Sequence, residues 1–285
     1  MNYRFWPVVV STFVLGLVPV STRAIEAAEL PSYAATYEIR LKQASASEGP
    51  PAAVGTLDSV FQETCDGWET KTRTALDLTF RDSSNYTNER YVESWEAKTG
   101  NDYTFSVRMY KNGETVESYK GRANLRKSAY RAYYEAVGDN GERIGNAIEL
   151  PLPIGTMLPV EHTEELLARA ESGTTMFRSV VLNGASTSGP RIFSIAIGER
   201  VGDSVLPSVL DDAPAEDEKS LLNTSAWRMS TAQYNLHAEN ETPDTELFLQ
   251  LHESGIAELF DQRFDDFLLS AKIVYLRFLD PPECD

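Results

Sequence analysis

The sequence predicts an all-β protein, a large antiparallel sheet carrying one main helix. Three observations lead there. Apolar and polar residues alternate with a period of two through most of the chain after residue 31, as in strands with one buried face. Short breaks containing Asn and Gly separate the alternating runs, and these residues tolerate the positive φ of tight hairpins. Prolines stay out of the interiors of the runs, where each would delete a ladder hydrogen bond.

Taken in order, Tyr33–Lys42, Thr56–Glu63 and Trp68–Phe80 read as the first strands. Arg90–Lys98, Tyr103–Tyr110 and Glu114–Gly121 follow, joined by turns at Thr99–Asp102 and Lys111–Gly113. Ser128–Val137 and Arg143–Leu150 flank another hairpin tip, Gly138–Glu142. The prolines of Leu150–Gly155 then stop a strand and begin a crossover. Glu161–Glu171 is rich in helix formers, with acidic residues in its first turn, Arg169 near its end and Gly173 beyond it. Met176–Leu182 and Arg191–Ile197 flank a small-residue loop, and Thr245–His252, Ile256–Arg263 and Phe267–Leu279 complete the series. Two irregular segments interrupt it. Ala44–Ala53 is short, and Glu199–Ser225 reads as an exposed loop whose acidic stretch, residues 211–218, surrounds Pro214. Nothing resembles a repeat or a linker, so residues 28–285 read as one domain.

The first 27 residues read as a secretory signal peptide. Arg4 precedes an apolar run from Val8 to Val20, and small residues follow at Ala24, Ala27 and Ala28. Cleavage after Ala27 is expected, with Ala24 as a second possibility. A membrane span needs about 20 apolar residues, and this run is shorter and broken by Gly16 and Pro19. An uncleaved anchor is the alternative. The chain is expected to be exported, with the mature protein in solution and no stable membrane insertion.

Composition excludes several partners. The chain has 285 residues, 26 basic and 43 acidic, for a formal charge of −17. That excess repels nucleic acid and anionic headgroups. Catalytic and metal-binding motifs are equally lacking. His162, His237 and His252 have no metal-type spacing, and His252-Glu253 lacks the second histidine of a zinc protease. Gly184–Ser188 misses the nucleophile elbow because position 188 is Ser, and no lysine follows a serine at the S-x-x-K spacing. No catalytic residue, metal or cofactor is expected. The aromatics, 4 Trp, 13 Tyr and 12 Phe, read first as core, since strands favour them. A concavity left inside a curved sheet would be a site for a hydrophobic ligand.

Only two cysteines occur, Cys65 in the turn Thr64–Gly67 and Cys284 next to the C-terminus. In an exported chain they most simply pair with each other, and two unpaired thiols are the alternative.

The segment Leu150–Thr163 contains a proline-flanked box of Pro153, Gly155, Thr156, Pro159, His162 and Thr163. It resembles the G-T-x-x-P-x-x-H-T box of the EipB-like envelope integrity proteins, exported proteins of α-proteobacteria. The turn around Cys65, the Asn112-Gly113 hairpin and the ending through Pro281-Pro282-Glu283-Cys284 are similar as well. The resemblance implies a β-spiral, a long sheet curled into an open barrel like that of periplasmic lipoprotein carriers. It also implies a Cys65–Cys284 disulfide and a role in envelope integrity in the periplasm, without established catalysis. The expected partner is an unidentified periplasmic protein or envelope component. The alternative is a lipid or lipoprotein carrier using the concave face. His162, beside Thr163 and Glu164, reads as helix-start packing rather than chemistry.

Overall fold

The computed structural model describes residues 30–46, 49–82, 84–126, 130–202, 204–211, 225–236 and 242–284. The expected signal peptide, His237 and most of the acidic stretch 211–218 lie outside the described residues. The first eight strands are β1 (Tyr33–Ala44), β2 (Ala52–Glu63), β3 (Gly67–Thr79), β4 (Asn85–Ala97), β5 (Asp102–Lys111), β6 (Glu114–Asn124), β7 (Arg131–Val137) and β8 (Arg143–Pro151). A crossover holds β9 (Thr156–Met157) and helix α1 (Pro159–Glu171). The chain returns through β10 (Met176–Val181), β11 (Arg191–Val201), β12 (Ala226–Asn235), β13 (Thr245–His252), β14 (Ala257–Arg263) and β15 (Phe267–Phe278).

These strands form one sheet in the order β8-β7-β6-β5-β4-β3-β2-β1-β15-β14-β13-β12-β11-β10-β9. Two meanders therefore grow outward from a central seam, where β1 and β15 pair antiparallel. The β9–β10 pair is parallel. The sheet is open, with β8 and β9 at its two edges.

Pairing register assigns the side chains to two faces. On one face lie Tyr37 and Ile39 of β1, Ile273 of β15, Phe105 and Val107 of β5, Tyr134 of β7, Ile195 of β11 and Met229 of β12, all buried. Helix α1 packs on this inner face through Leu166, Leu167 and Ala170 against Ile195, Ile197, Met229 and Leu251. The loop after β10 crosses to the other half of the sheet. The Tyr103 and Tyr119 hydroxyls donate to the Asn183 and Gly184 carbonyls, each at 3.0 Å, and Arg90 donates to the Ala185 carbonyl. Leu152, Leu158 and Leu182 join the aromatic cluster of β5–β7. Gly184 allows this approach. Its φ is +66°, and a Cβ there would stand 2.5 Å from Cγ of Phe105. The curl brings both ends of the sheet toward each other over a packed interior, an open β-spiral.

Several elements differ from the sequence reading. Helix α1 starts at Pro159 rather than Glu161, because proline suits the first helical position, where an amide hydrogen has no partner anyway. Strand β4 starts at Asn85 rather than Arg90, its first residues Asn85-Tyr86-Thr87-Asn88-Glu89 being too polar to show alternation. Strand β12 lies in a region read without a strand, since the inward Thr231 and Gln233 blur its pattern. The segment read as an exposed loop over Glu199–Ser225 is partly structured. Its first residues complete β11, Leu206 is buried, and Leu210 bridges to Leu276 of β15.

Candidate functional site

The box residues sit in the crossover at the edge of the sheet. Gly155 turns the chain at φ +84°. The Pro153 carbonyl accepts the Thr156 amide at 3.2 Å and its hydroxyl at 2.8 Å, which pins the turn that places β9 on β10. Pro159 opens α1, and its carbonyl accepts the Thr163 hydroxyl at 3.0 Å. The His162 ring packs against Phe193 and Phe177, with centroids 5.2 and 6.2 Å away. Burial lowers its pKa to about 4, so the imidazole is neutral at pH 7. These contacts hold the crossover in place; none poises a nucleophile. The second described histidine, His252, is fully buried and its Nδ1 accepts the Ser254 amide at 3.1 Å. Among the described residues no three His, Cys, Asp or Glu side chains cluster as a metal site.

One functional-looking residue escapes a motif search. The N-cap of α1 is Leu158, which has no side-chain acceptor. Glu96, at the end of β4, supplies it from across the fold. Its Oε2 accepts the Val160 amide at 2.8 Å and its Oε1 the Glu161 amide at 3.1 Å. A carboxylate facing the positive end of the helix dipole is well placed. Glu96 is only 3% exposed, and burial, opposed by these two hydrogen bonds, raises its pKa to about 7. The signal in the sequence is parity alone, since Glu96 shares the inward phase of Val92 and Ser94.

The disulfide joins Cys65 and Cys284, 219 residues apart with Cα atoms 5.6 Å from each other. Thr64 fixes the turn that presents Cys65, its amide donating to the Gly67 carbonyl at 2.8 Å and its hydroxyl accepting the Gly67 amide at 3.0 Å. The bridge ties the β2–β3 turn to the tail beyond β15, so it clasps the two meanders beside their seam.

Two of the cavities among the described residues lie on the outward face. The first, about 670 Å³, crosses β3 to β7. Register arranges its walls in two rows. One runs Lys71, Glu93, Ser106, Lys120, Glu135, alternating in charge around a hydroxyl. The other runs Glu69, Trp95, Thr104, Arg122, Tyr133, with two aromatic rings. The Arg122 guanidinium lies over the Tyr133 ring at 5.1 Å, and Lys120 pairs with Glu135 at 3.6 Å. Trp95 lies against Gly67, where a Cβ would come 2.6 Å from the indole Nε1. The second cavity, about 380 Å³, lies over β11–β14 near Phe248, Arg228 and Asp261.

Fold and site together define an open β-spiral, packed inside, clasped by one long-range disulfide and grooved on its outer face. The chain belongs to the EipB-like family, whose model matches residues 24–280. It is 21% identical over 262 residues to the cell envelope integrity protein EipB of Brucella abortus (strain 2308), covering 90% of this chain and 87% of that one. It is also similar to the crystal structure of a beta-barrel-like protein of the domain of unknown function DUF1849 from Brucella abortus. That comparison gives a TM-score of 0.76 at 19% identity and covers 89% of this chain and all of the other, 100%. The open-barrel architecture implied by the sequence resemblance is the observed one.

Proposed function

We propose that this protein is a non-enzymatic periplasmic factor that supports cell-envelope integrity by binding an envelope protein or a cell-wall component. The envelope role rests on family membership and on the name of the Brucella relative. Export rests on residues 1–27, read as a signal peptide. The binding role rests on one observation, the division of labour between the faces of the sheet. The inner face is occupied by α1 and by the apolar clusters, while a groove lined by charged and aromatic side chains opens outward. A lipid carrier needs free apolar room inside the curl. The packing of the described inner face and the outward position of these two cavities favour the outer face instead.

The test is complementation. A strain lacking the protein, challenged with detergent, is supplied with Lys71→Glu/Lys120→Glu, two exposed changes that alter the groove and leave the core untouched. The expected result is a variant that accumulates and melts like the parent yet fails to restore resistance. Full restoration would show that the groove is not the working surface.

A further inference from the structure

We infer that the outward groove over β3–β7 binds a glycan strand, an oligosaccharide of amino sugars lying across the strands; this deepens the binding role proposed above and rests on it. The geometry narrows the ligand class step by step. Strands β3 to β7 are each paired on both sides, so no backbone amide or carbonyl is free along the groove to extend a peptide by strand addition. Recognition falls to side chains. Lys71, Glu93, Lys120 and Glu135 line the groove with charge that an acyl chain would desolvate without pairing, which disfavours a lipid. The carboxylates and the net charge of −17 oppose a polyanion.

What remains is a ligand with hydroxyls around its rim and flat, weakly apolar ring faces. A pyranose has both. Its C–H face stacks on an aromatic ring, and its equatorial hydroxyls and acetamido groups pair with carboxylates, ammonium groups and hydroxyls lying in the ring plane. Trp95, and Tyr133 with the Arg122 guanidinium over one face of its ring, provide rigid aromatic surface at little entropic cost. They stand in the same cross-strand row, separated by three inter-strand steps, about 14 Å. That separation suits a run of linked rings rather than one sugar. The alternating row of Lys71, Glu93, Ser106, Lys120 and Glu135 runs beside it, offering donors and acceptors in turn. The volume of about 670 Å³ falls within the range of built ligand sites.

The experiment titrates the full mature protein with chitotetraose, following the indole N–H resonances by NMR and heat by calorimetry. The expected result is saturable binding that shifts the Trp95 indole signal. Trp95→Ala and Lys120→Ala should each weaken binding by about tenfold or more, with unchanged melting for the exposed Lys120→Ala, and Phe248→Ala in the second cavity should leave binding as it was. A folded parent that shows no saturable shift with millimolar chitotetraose overturns the inference, as does binding that Trp95→Ala leaves intact. A photoreactive residue at Ser106 separates the two levels. If it captures a protein in cells while chitotetraose does not bind, the glycan assignment fails and the binding role stands; if it captures nothing and chitotetraose does not bind, both fail.

Discussion

Glu96 and His162 are two mostly buried ionisable groups at the start of α1 whose pKa values move in opposite directions. The folded state holds Glu96 up at about 7, above its ordinary 4.5, so it binds a proton more tightly than the unfolded chain does. Its contribution is full below pH 4.5 and is lost as pH rises toward 7. The folded state holds His162 down at about 4, below its ordinary 6.5, so its contribution is full above pH 6.5 and is lost as pH falls toward 4. Each shift corresponds to about 3 kcal/mol, and across the overlapping window the two slopes oppose one another. Replacing either residue should expose the other. Relative to the parent, Glu96→Gln should become steadily more stable as pH rises from 4.5 to 6.5, and His162→Phe steadily less stable. Thermal unfolding of the three proteins across that range reads the difference; parallel curves would refute the assignment. The sequence makes His162 conspicuous through its box. It leaves Glu96 as one glutamate among many, because its role depends on a contact between residues 96 and 160 that no local pattern encodes.

At the level of elements, the sequence was most legible where one face is apolar and the turn is tight. Strands such as β5 and β13 stand out by alternation, and the β5–β6 turn by Asn112-Gly113, where Asn112 takes φ +50° and Gly113 +83°. Legibility fails where inward positions are polar, as in β12, or where a strand is only two residues long, as in β9. The disulfide joins two such legible elements, the β2–β3 turn and the tail after β15. Closing so long a loop restricts the unfolded chain by roughly 5 kcal/mol, an upper value because denatured chains are compact. Cys65→Ser and Cys284→Ser should therefore lower the urea midpoint by similar amounts, with the double variant no worse than either single. An unchanged midpoint in Cys65→Ser would remove the structural role assigned to the bridge.

The whole molecule carries the feature that the sequence hides most completely. Trp95, Thr104, Arg122 and Tyr133 lie on four strands, and only register shows that they share a row. The aromatic content reads first as core, and the aromatics of β5–β7 do gather inside the curl as packed core: Phe105 meets Tyr103 and Tyr134 with centroids 5.4 and 5.2 Å apart. The resemblance in the box and the cysteine turns anticipates the spiral itself; the outward groove follows from how its strands align. Whether this protein works through its outer face is decided by photo-crosslinking in living cells. A photoreactive residue replaces Ser106 in the groove or, as a control, Val274, an exposed outward position on β15. A discrete adduct is expected from position 106 and none from position 274. Equal capture from both positions, or none from 106 in a protein that still restores detergent resistance, would contradict a working role for the outer face.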